Sequence, residues 1–331
     1  MKRLMLKTLA AAVAISAFGV AFAQEKTIKF TTQNPKGHPL VMGMEKFAEI
    51  VQAKSGGKIK VNLFPGGVLG GDAAVVSAMQ GGTIEMASMN SGILASQVKD
   101  FEVYDFPFMF ANSKEADAVV DGPFGKKMHA KLEPKGLVGL TYWELGFRQI
   151  TNSRRAINKV EDLEGLKLRV IPNAINIDWV KALGANPTPL AFPEVYAALE
   201  QKAIDGQENP LTVIAANKFF EVQKYATLTN HQYNPQSVLI SKKFWDTLSA
   251  DEKKIVADAA VESTAYQRQQ ARAQAGTALD AVKKGGMQVN ELAPAELAKF
   301  REKMKPVVDK HGAAIAETVK ELQAELAKAR Q

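Results

Sequence analysis

The stretch from Thr27 to Met89 reads TIKFTTQNPKGHPLVMGMEKFAEIVQAKSGGKIKVNLFPGGVLGGDAAVVSAMQGGTIEMASM, and it decides the fold class. Apolar residues recur at helical spacing after Leu40 until the breaker Ser55-Gly56-Gly57. The order strand, helix, strand, helix, strand predicts a mostly parallel α/β sheet. The predicted strands are Thr27–Phe30, Ile59–Leu63 and Ile84–Met89, and the predicted helices are Leu40–Ala53 and Asp72–Gln80.

The remainder of the chain continues the α/β pattern and then becomes helical. Ser249-Ala-Asp-Glu252 is a capping box, and no Gly or Pro follows it before Gln274, which predicts one long helix. Two or three further helices are expected between Pro294 and Arg330. Further predicted elements are strands at Leu137–Trp143, Gln149–Asn152 and Lys167–Val170 and helices at Ile175–Leu183, Pro193–Gln201 and Leu211–Phe220.

Composition narrows the class of protein. The 331 residues are 46% hydrophobic and 23% charged, as in an ordinary globular protein. The net charge of +7 includes three N-terminal basic residues, so residues 24–331 carry +7 − 3 = +4. This mild charge forms no dense basic stripe, and no nucleic-acid partner is expected. The absence of Cys excludes disulfides, thiolate nucleophiles and Cys-based metal sites.

Residues 1–23 have the pattern of a cleavable signal peptide. A basic segment precedes the apolar run Leu9–Val20, which is short for a membrane span, and Ala21-Phe22-Ala23 is a small-x-small cleavage pattern. We expect cleavage after Ala23 and a mature protein that works in the periplasm. No later run of 18 apolar residues predicts another span.

Known catalytic and metal-binding motifs are missing from the sequence. The four His are scattered, which excludes a zinc motif of the HExxH type, and no GxSxG elbow occurs. Gly122–Lys127 has the wrong glycine spacing for a phosphate loop. We therefore expect no metal, no cofactor and no enzymatic activity.

Two arginines in the middle of the chain suggest recognition of an acid. Arg148 follows a predicted strand, and Arg169 ends another before Pro172, at the carboxyl-end edge of a sheet where α/β proteins bind ligands. A guanidinium can grip a carboxylate with two parallel hydrogen bonds. Each could instead be an exposed or internally paired arginine. Asp205–Pro210 is polar enough to be part of a site, but a capped turn is an equal alternative.

Several linked motifs resemble one family over essentially the whole mature chain. The sequence closely resembles the DctP-type substrate-binding proteins of tripartite ATP-independent periplasmic (TRAP) transporters. The matching segments are Phe64–Gly67, Leu69–Asp72, Phe106–Phe108, Gly146–Arg148, Thr151–Asn152, Asp162–Val170, Gly184–Pro189, Tyr196–Leu199, Asp205–Pro210 and Phe219–Tyr225.

The resemblance implies a set of ligand-binding residues. Arg169 matches the arginine that clamps the ligand carboxylate in these proteins, and Arg148 matches a second arginine that supports it. Asn209 matches the asparagine beside them, and Phe192 an aromatic residue that packs on the ligand. Further residues implied by the resemblance are Gln33, Asn34 and His38 in the first loop, Asp72, Asn90, and, as weaker candidates, Trp143 and Tyr233.

The family fold has two α/β lobes joined by hinge strands and by a long helix that both lobes share. We expect lobe I to comprise residues 24–147 and 235–274, and lobe II residues 148–234 and 275–331. The family captures a small carboxylate between the lobes and delivers it to a permease of small and large subunits, which an ion gradient drives. We expect the binding protein to be a monomer.

The ligand and the role are less closely defined. A C4-dicarboxylate is favoured, and sugar acids and aromatic or keto acids stay open. Sialate-binding relatives carry an acidic residue where this chain has Asn90, which argues against sialate. Two other classes of function are a periplasmic enzyme, with Glu208 or Asp72 as its base, and a chemosensory solute receptor.

Overall fold

The computed structural model describes residues 25–331, which form two mixed sheets surrounded by helices. The predicted signal peptide and its cleavage site lie outside the described residues. The strands are β1 Lys26–Thr32, β2 Ile59–Phe64, β3 Met86–Asn90, β4 Leu137–Phe147, β5 Gln149–Asn152, β6 Lys167–Val170, β7 Asn186–Pro189, β8 Gly206–Asn209, β9 Tyr225–Leu228, β10 Tyr233–Ser241 and β11 Gln288–Glu291. The helices are α1 Pro39–Lys54, α2 Asp72–Gly81, α3 Ser113–Asp121, α4 Pro123–Ala130, α5 Ala174–Ala182, α6 Val195–Glu200, α7 Leu211–Ala216, α8 Lys242–Trp245, α9 Ala250–Lys284, α10 Pro294–Ala313 and α11 Ala316–Ala329.

The first sheet has the strand order β2-β1-β3-β10-β4. β1 pairs in parallel with β2 and β3, which confirms the parallel unit predicted from residues 27–89. β10 runs antiparallel to both of its neighbours. The sequence analysis did not predict β10, because the strand is buried along its whole length and shows no alternation of polar and apolar residues.

The second sheet has the order β11-β9-β5-β8-β6-β7, with β5 antiparallel to β8 and β9. The alternative that Asp205–Pro210 is a capped turn is wrong, because Gly206–Asn209 form the buried central strand β8. Its side chains are polar and find partners inside the protein, so the segment lacks the apolar pattern of a strand. Gly206 is required there, since an added Cβ would lie 2.2 Å from the carbonyl oxygen of Thr151.

The chain crosses between the sheets at two adjacent places. β4 of the first sheet continues directly into β5 of the second through Arg148, and β9 returns to β10 through residues 229–232. The amide of Arg148 donates to the carbonyl oxygen of Gln232 at 2.8 Å, which ties the two crossings together. These crossings make a two-lobed protein, with lobe I built on the first sheet and lobe II on the second.

The long helix α9 spans both lobes. It packs against α1 and β4 of lobe I and against α7 of lobe II, as the resemblance implied. The predicted long helix is confirmed, and it continues beyond Gln274 through Gly276 to Lys284. A single Gly costs a helix only about 1 kcal/mol, which the surrounding helix formers offset. Within residues 25–331, no helix combines the length and the apolar character needed to cross a membrane.

The predicted capping box at the start of α9 is confirmed. The Ser249 hydroxyl accepts from the Glu252 amide at 3.2 Å, and the Ser249 amide donates to the Glu252 carboxylate at 2.7 Å. We expect Ser249→Ala to lower the free energy of unfolding by about 1 kcal/mol, as measured by urea denaturation, because an amide at the helix start loses its partner. Ser77→Ala, inside α2, is the matched control and should change stability little. Equal effects of the two changes would contradict the capping role.

Other elements differ from the prediction in length or placement. The helices predicted at Pro193–Gln201 and Leu211–Phe220 are shorter, and each is joined to a single 3₁₀ turn. Two helices, α10 and α11, fill the C-terminal region, and α11 packs against α3 and α4 of lobe I. The residue boundaries of the two lobes stay a prediction.

Candidate ligand-binding site

A cavity of about 140 Å³ lies between the two lobes. It is bounded by the carboxyl ends of β1 and β3 on one side and of β6 and β8 on the other, where α/β sheets bind ligands. Of the eleven residues expected at the site, eight line the cavity: Gln33, Asn34, Asp72, Asn90, Arg148, Arg169, Phe192 and Asn209.

Arg169 is the cavity residue with the most hydrogen-bond donors available for the carboxylate of an acid. Its side chain is 3% exposed, and its Nε and Nη2 donate to the Leu190 carbonyl oxygen at 2.9 and 2.7 Å. A guanidinium has five N–H groups, so these two bonds leave three available. No carboxylate within residues 25–331 forms an ion pair with it. Burial and the charge of Arg148 lower the pKa of Arg169 to about 10, so it is still charged at neutral pH.

Arg148 is engaged with the protein itself. Its Nε and Nη2 donate to the Glu208 carboxylate, Nη2 also donates to the Glu208 carbonyl oxygen, and Nη1 donates to Asn234 Oδ1 at 2.7 Å. These bonds leave a single N–H group for a ligand. The sequence pointed to two arginines gripping one carboxylate, whereas the structure gives Arg148 a carboxylate partner and, within residues 25–331, gives Arg169 none.

Glu208 and His231 extend this buried network, and the sequence analysis had given His231 no role. Burial would raise the pKa of Glu208, but the Arg148 charge and the His231 hydrogen bond outweigh it and lower the value to about 2. Burial lowers the pKa of His231, which favours the neutral ring. His231 Nε2 lies 3.2 Å from the Glu208 carboxylate and Nδ1 2.8 Å from the Thr229 hydroxyl. The neutral ring therefore donates from Nε2 and accepts at Nδ1.

Asp105 is a second buried carboxylate that the sequence analysis missed. It accepts from the amides of Asn173, of Asn176 at 3.0 Å and of Asn234 at 3.0 Å. Burial raises its pKa to about 6 despite these hydrogen bonds. Asp105 and its three asparagine partners link lobe I to helix α5. Asn234 also accepts from Arg148, so this cluster is connected to the Arg148 network.

Asn209 and Phe192 complete the wall around Arg169. The Asn209 amide donates to Gln207 Oε1 at 2.6 Å, and Gln207 in turn donates to Thr151 at 2.8 Å, so the Asn209 side chain is held in one orientation. The Phe192 ring lies 5.8 Å from the Arg169 guanidinium carbon. An apolar carbon chain could pack on this ring while its carboxylate meets the arginine.

The lobe I side of the cavity is polar. Gln33 Nε2 donates to the Gly70 carbonyl oxygen at 3.0 Å, and Asn90 Oδ1 accepts from the Gly92 amide at 2.9 Å. Asp72 begins α2. Burial raises its pKa to about 6, because the Gln33 amide and the Arg169 charge offset only part of the desolvation.

Three expected site residues lie outside the cavity. His38 caps α1, where its Nδ1 accepts from the Leu40 amide at 3.2 Å, and burial lowers its pKa to about 3. Trp143 is in the core of lobe I, 5.8 Å from the Phe30 ring. Tyr233 packs on Phe110 and Phe147, with ring centroids 5.7 and 5.1 Å away.

The cavity also has lining residues that the sequence analysis did not single out. The principal ones are Thr32, Ser88, Ile171, Val213 and Gln236. Thr32 and Ser88 lie at the ends of β1 and β3, so the rule that ligands bind at the carboxyl ends of strands could have found them. Gln236 lies in β10, which was not predicted.

The geometry suits recognition of one small anion. One side of the cavity presents the Arg169 guanidinium, which has no carboxylate partner in the described part of the chain, with an oriented amide and an aromatic ring. The other side presents polar side chains. Within the described residues, no group of three or more His, Cys, Asp or Glu is placed to hold a metal ion.

Comparison with known proteins identifies the class. The two lobes and the cavity between them define a solute-binding protein, and the family model described as bacterial extracellular solute-binding protein, family 7 (DctP), matches residues 30–314. The chain belongs to this family, whose members include the periplasmic binding proteins of TRAP transporters. The predicted family and fold class are confirmed.

The relatives include one protein named for its ligand and two solved structures. The 2,3-diketo-L-gulonate-binding periplasmic protein YiaO of Escherichia coli K12 is 36% identical to this chain, and the match covers 83% of this chain and 84% of the length of YiaO. The sugar acid binding protein DctPAm from Advenella mimigardefordensis, in complex with galactonate, is 43% identical over 92% of this chain and 99% of its own, with a TM-score of 0.91. A TRAP solute-binding protein from Ochrobactrum anthropi, with its C-terminus in the ligand pocket, is 55% identical over 93% of this chain and 97% of its own, with a TM-score of 0.82.

Proposed function

We propose that this protein captures a small organic acid between its lobes, with Arg169 as the principal carboxylate-binding group, and delivers it to the small and large subunits of a TRAP permease. The observation that carries the proposal is the Arg169 guanidinium, which is buried and charged, has three free N–H groups and has no carboxylate partner within residues 25–331.

A buried unpaired charge is costly, and a ligand carboxylate would remove that cost. Transfer of an ion out of water carries a penalty of several kcal/mol unless an opposite charge and hydrogen bonds compensate. A carboxylate on Arg169 provides both, in the bidentate geometry that guanidinium favours. Arg148 adds its remaining N–H group, and its charge is already balanced by Glu208.

Contacts between the lobes next to the cavity support capture by closure. An added Cβ at Gly71 would lie 3.1 Å from the Ala191 Cβ, and one at Gly67 would lie 3.0 Å from Pro193 Cγ. The glycine-rich loop of lobe I therefore lies directly against the segment that carries Phe192. Closure around a bound acid lowers the effective dielectric and strengthens its pairing with Arg169.

We place the mature protein in the periplasm, beginning at Gln24 after cleavage of the signal peptide. We propose that it returns its ligand chemically unchanged, as transport requires. The alternative of an enzyme that uses Glu208 as its base is disfavoured, because the Glu208 carboxylate already pairs with Arg148 and accepts from His231.

A thermal-shift screen tests the proposal. The mature protein, unfolded and refolded to strip any ligand acquired from the host, is heated with a panel of organic acids and of neutral sugars. We expect at least one acid to raise the melting temperature, because a ligand that binds only the native state stabilises it by mass action. The acid should be recovered intact after incubation. Shifts with neutral sugars alone, or chemical conversion of the acid, would contradict the proposal.

A further inference from the structure

The lobe I side of the cavity has a concentration of buried polar atoms that the protein does not satisfy. Fourteen buried side-chain nitrogen or oxygen atoms within residues 25–331 form no hydrogen bond, and three of these, Glu102 Oε2, Asp117 Oδ1 and Arg268 Nε, face an ion-pair partner instead. Six of these lie on residues that line this one cavity, and we call them the lobe I wall. The six atoms are Thr32 Oγ1, Gln33 Oε1, Asn34 Oδ1, Asp72 Oδ1, Ser88 Oγ and Asn90 Nδ2.

The orientations of the two best-fixed amides follow from their other hydrogen bonds. Gln33 donates from Nε2 to the Gly70 carbonyl oxygen, so Oε1 is its free atom and is an acceptor. Asn90 accepts at Oδ1 from the Gly92 amide, so Nδ2 is its free atom and is a donor. The wall thus presents acceptors on Gln33, Asn34 and Asp72 and a donor on Asn90, and the two hydroxyls can do either.

This pattern does not suit a second carboxylate. A carboxylate only accepts hydrogen bonds, so it would leave the Gln33 and Asn34 acceptors unsatisfied and would be repelled by an ionised Asp72. The only cationic side chains that line the cavity within residues 25–331 are Arg148 and Arg169, and Glu208 already neutralises the first. A dicarboxylate held at one end by Arg169 has no cation for its other end.

Hydroxyl groups match the wall, because each one both donates and accepts. We propose that the ligand is a hydroxylated monocarboxylate of the sugar-acid class, with its carboxylate on Arg169 and at least three hydroxyls on the lobe I wall, one for each unsatisfied acceptor side chain. This inference rests on the proposed function. It favours a hydroxylated monocarboxylate as the ligand over the C4-dicarboxylates that the sequence analysis favoured. The cavity lining also includes the apolar side chains of Leu145 and Val213, on which a carbon chain can pack.

Length-matched acids test the inference in the wild-type protein. Calorimetry and thermal shift on the refolded mature protein compare three groups of probes, in four-carbon and six-carbon forms. The hydroxylated monocarboxylates are D-erythronate, D-threonate, D-galactonate and D-gluconate. The dicarboxylates are succinate and adipate, and the plain monocarboxylates are butyrate and hexanoate. We expect at least one hydroxylated acid to bind at least about tenfold more tightly than any dicarboxylate or plain acid, since each unsatisfied buried polar group weakens binding several-fold.

Two substitutions on the wall test the role of its atoms. Gln33→Met removes the Oε1 acceptor together with the Nε2 bond to Gly70, and Thr32→Val removes a hydroxyl, each with little change in shape. Each should weaken binding of the best hydroxylated acid by about fivefold or more, and should weaken binding of butyrate by a smaller factor. Thr212→Val is the matched control, because its hydroxyl is also buried without a partner in the described part of the chain but does not line the cavity. It should leave affinity for every acid unchanged.

The outcomes separate this inference from the proposed function. If succinate or adipate binds as tightly as the best hydroxylated acid, the inference is wrong and the capture of acids stands. If none of these acids binds but another acid of the thermal-shift panel does, the inference is wrong and the capture of acids stands. If no acid of that panel binds, the proposed function fails and the inference fails with it. If a wall variant does not fold, the wild-type comparison of matched acids still decides the question.

Discussion

Arg169→Lys is expected to weaken binding of the organic acid by about 100-fold or more, and Arg169→Ala to leave no measurable binding by calorimetry. The guanidinium is fixed by two bonds to the Leu190 carbonyl oxygen, and Arg169 lines the cavity, so its remaining N–H groups are available to a ligand. Lysine keeps a point charge but loses the paired donors and the fixed orientation. Two charge-assisted hydrogen bonds at about 1.5 kcal/mol each account for a loss of this size.

A matched substitution shows whether the effect belongs to the cavity. Arg155 also donates to backbone carbonyl oxygens, those of Asp162 and Glu164 at 2.8 Å each, but it is exposed and lies outside the cavity. Arg155→Lys should leave affinity unchanged. Near wild-type affinity in Arg169→Lys would overturn the bidentate role of Arg169.

Glu208→Gln is expected to lower the free energy of unfolding by about 3–5 kcal/mol at pH 7, the largest stability effect that we predict. Arg148 is 1% exposed and Glu208 is fully buried, so the change leaves a buried guanidinium without its counter-charge. Urea denaturation of the unliganded protein measures the effect. Adding Arg148→Met to Glu208→Gln should recover part of the loss, because the unpaired charge is then gone.

The same ion pair predicts a pH dependence of stability. The pKa of Glu208 is lowered to about 2 in the folded protein, from 4.5 as the reference value for an unperturbed glutamate. Its stabilising contribution is therefore complete above the unfolded pKa and is lost as the pH falls through the folded pKa. Between about pH 4.5 and pH 2, Glu208→Gln should lose less stability than the wild type.

The exposed pair of Lys254 and Asp258 is the control for Glu208→Gln. Its nitrogen and oxygen atoms are 2.9 Å apart, and solvent screens the interaction. Asp258→Asn should leave the free energy of unfolding nearly unchanged. If Glu208→Gln has an equally small effect, the Glu208 carboxylate does not stabilise the folded protein by compensating the buried charge of Arg148.

Local sequence patterns were sufficient to predict much of the fold. Residues 27–89 predicted the parallel unit because its helices and strands have clear periodicity and end at glycines. The capping box at Ser249 was readable because all of its groups lie within four residues. The polar strand β8 and the fully buried strand β10 were not predicted, because neither shows the alternation that identifies a strand exposed on one face.

The sequence by itself determined the α/β class, the family and the pair of arginines, since these depend on residue types and spacings along the chain. Only the tertiary structure decided that the two arginines differ. Arg148 meets Glu208 and Asn234, which lie 60 and 86 residues away along the chain, and Arg169 meets no carboxylate within residues 25–331. The unsatisfied atoms of the lobe I wall also became visible only in the folded protein. Hydrogen-bond satisfaction and charge pairing depend on groups that the chain brings together from distant positions, and no local pattern records them.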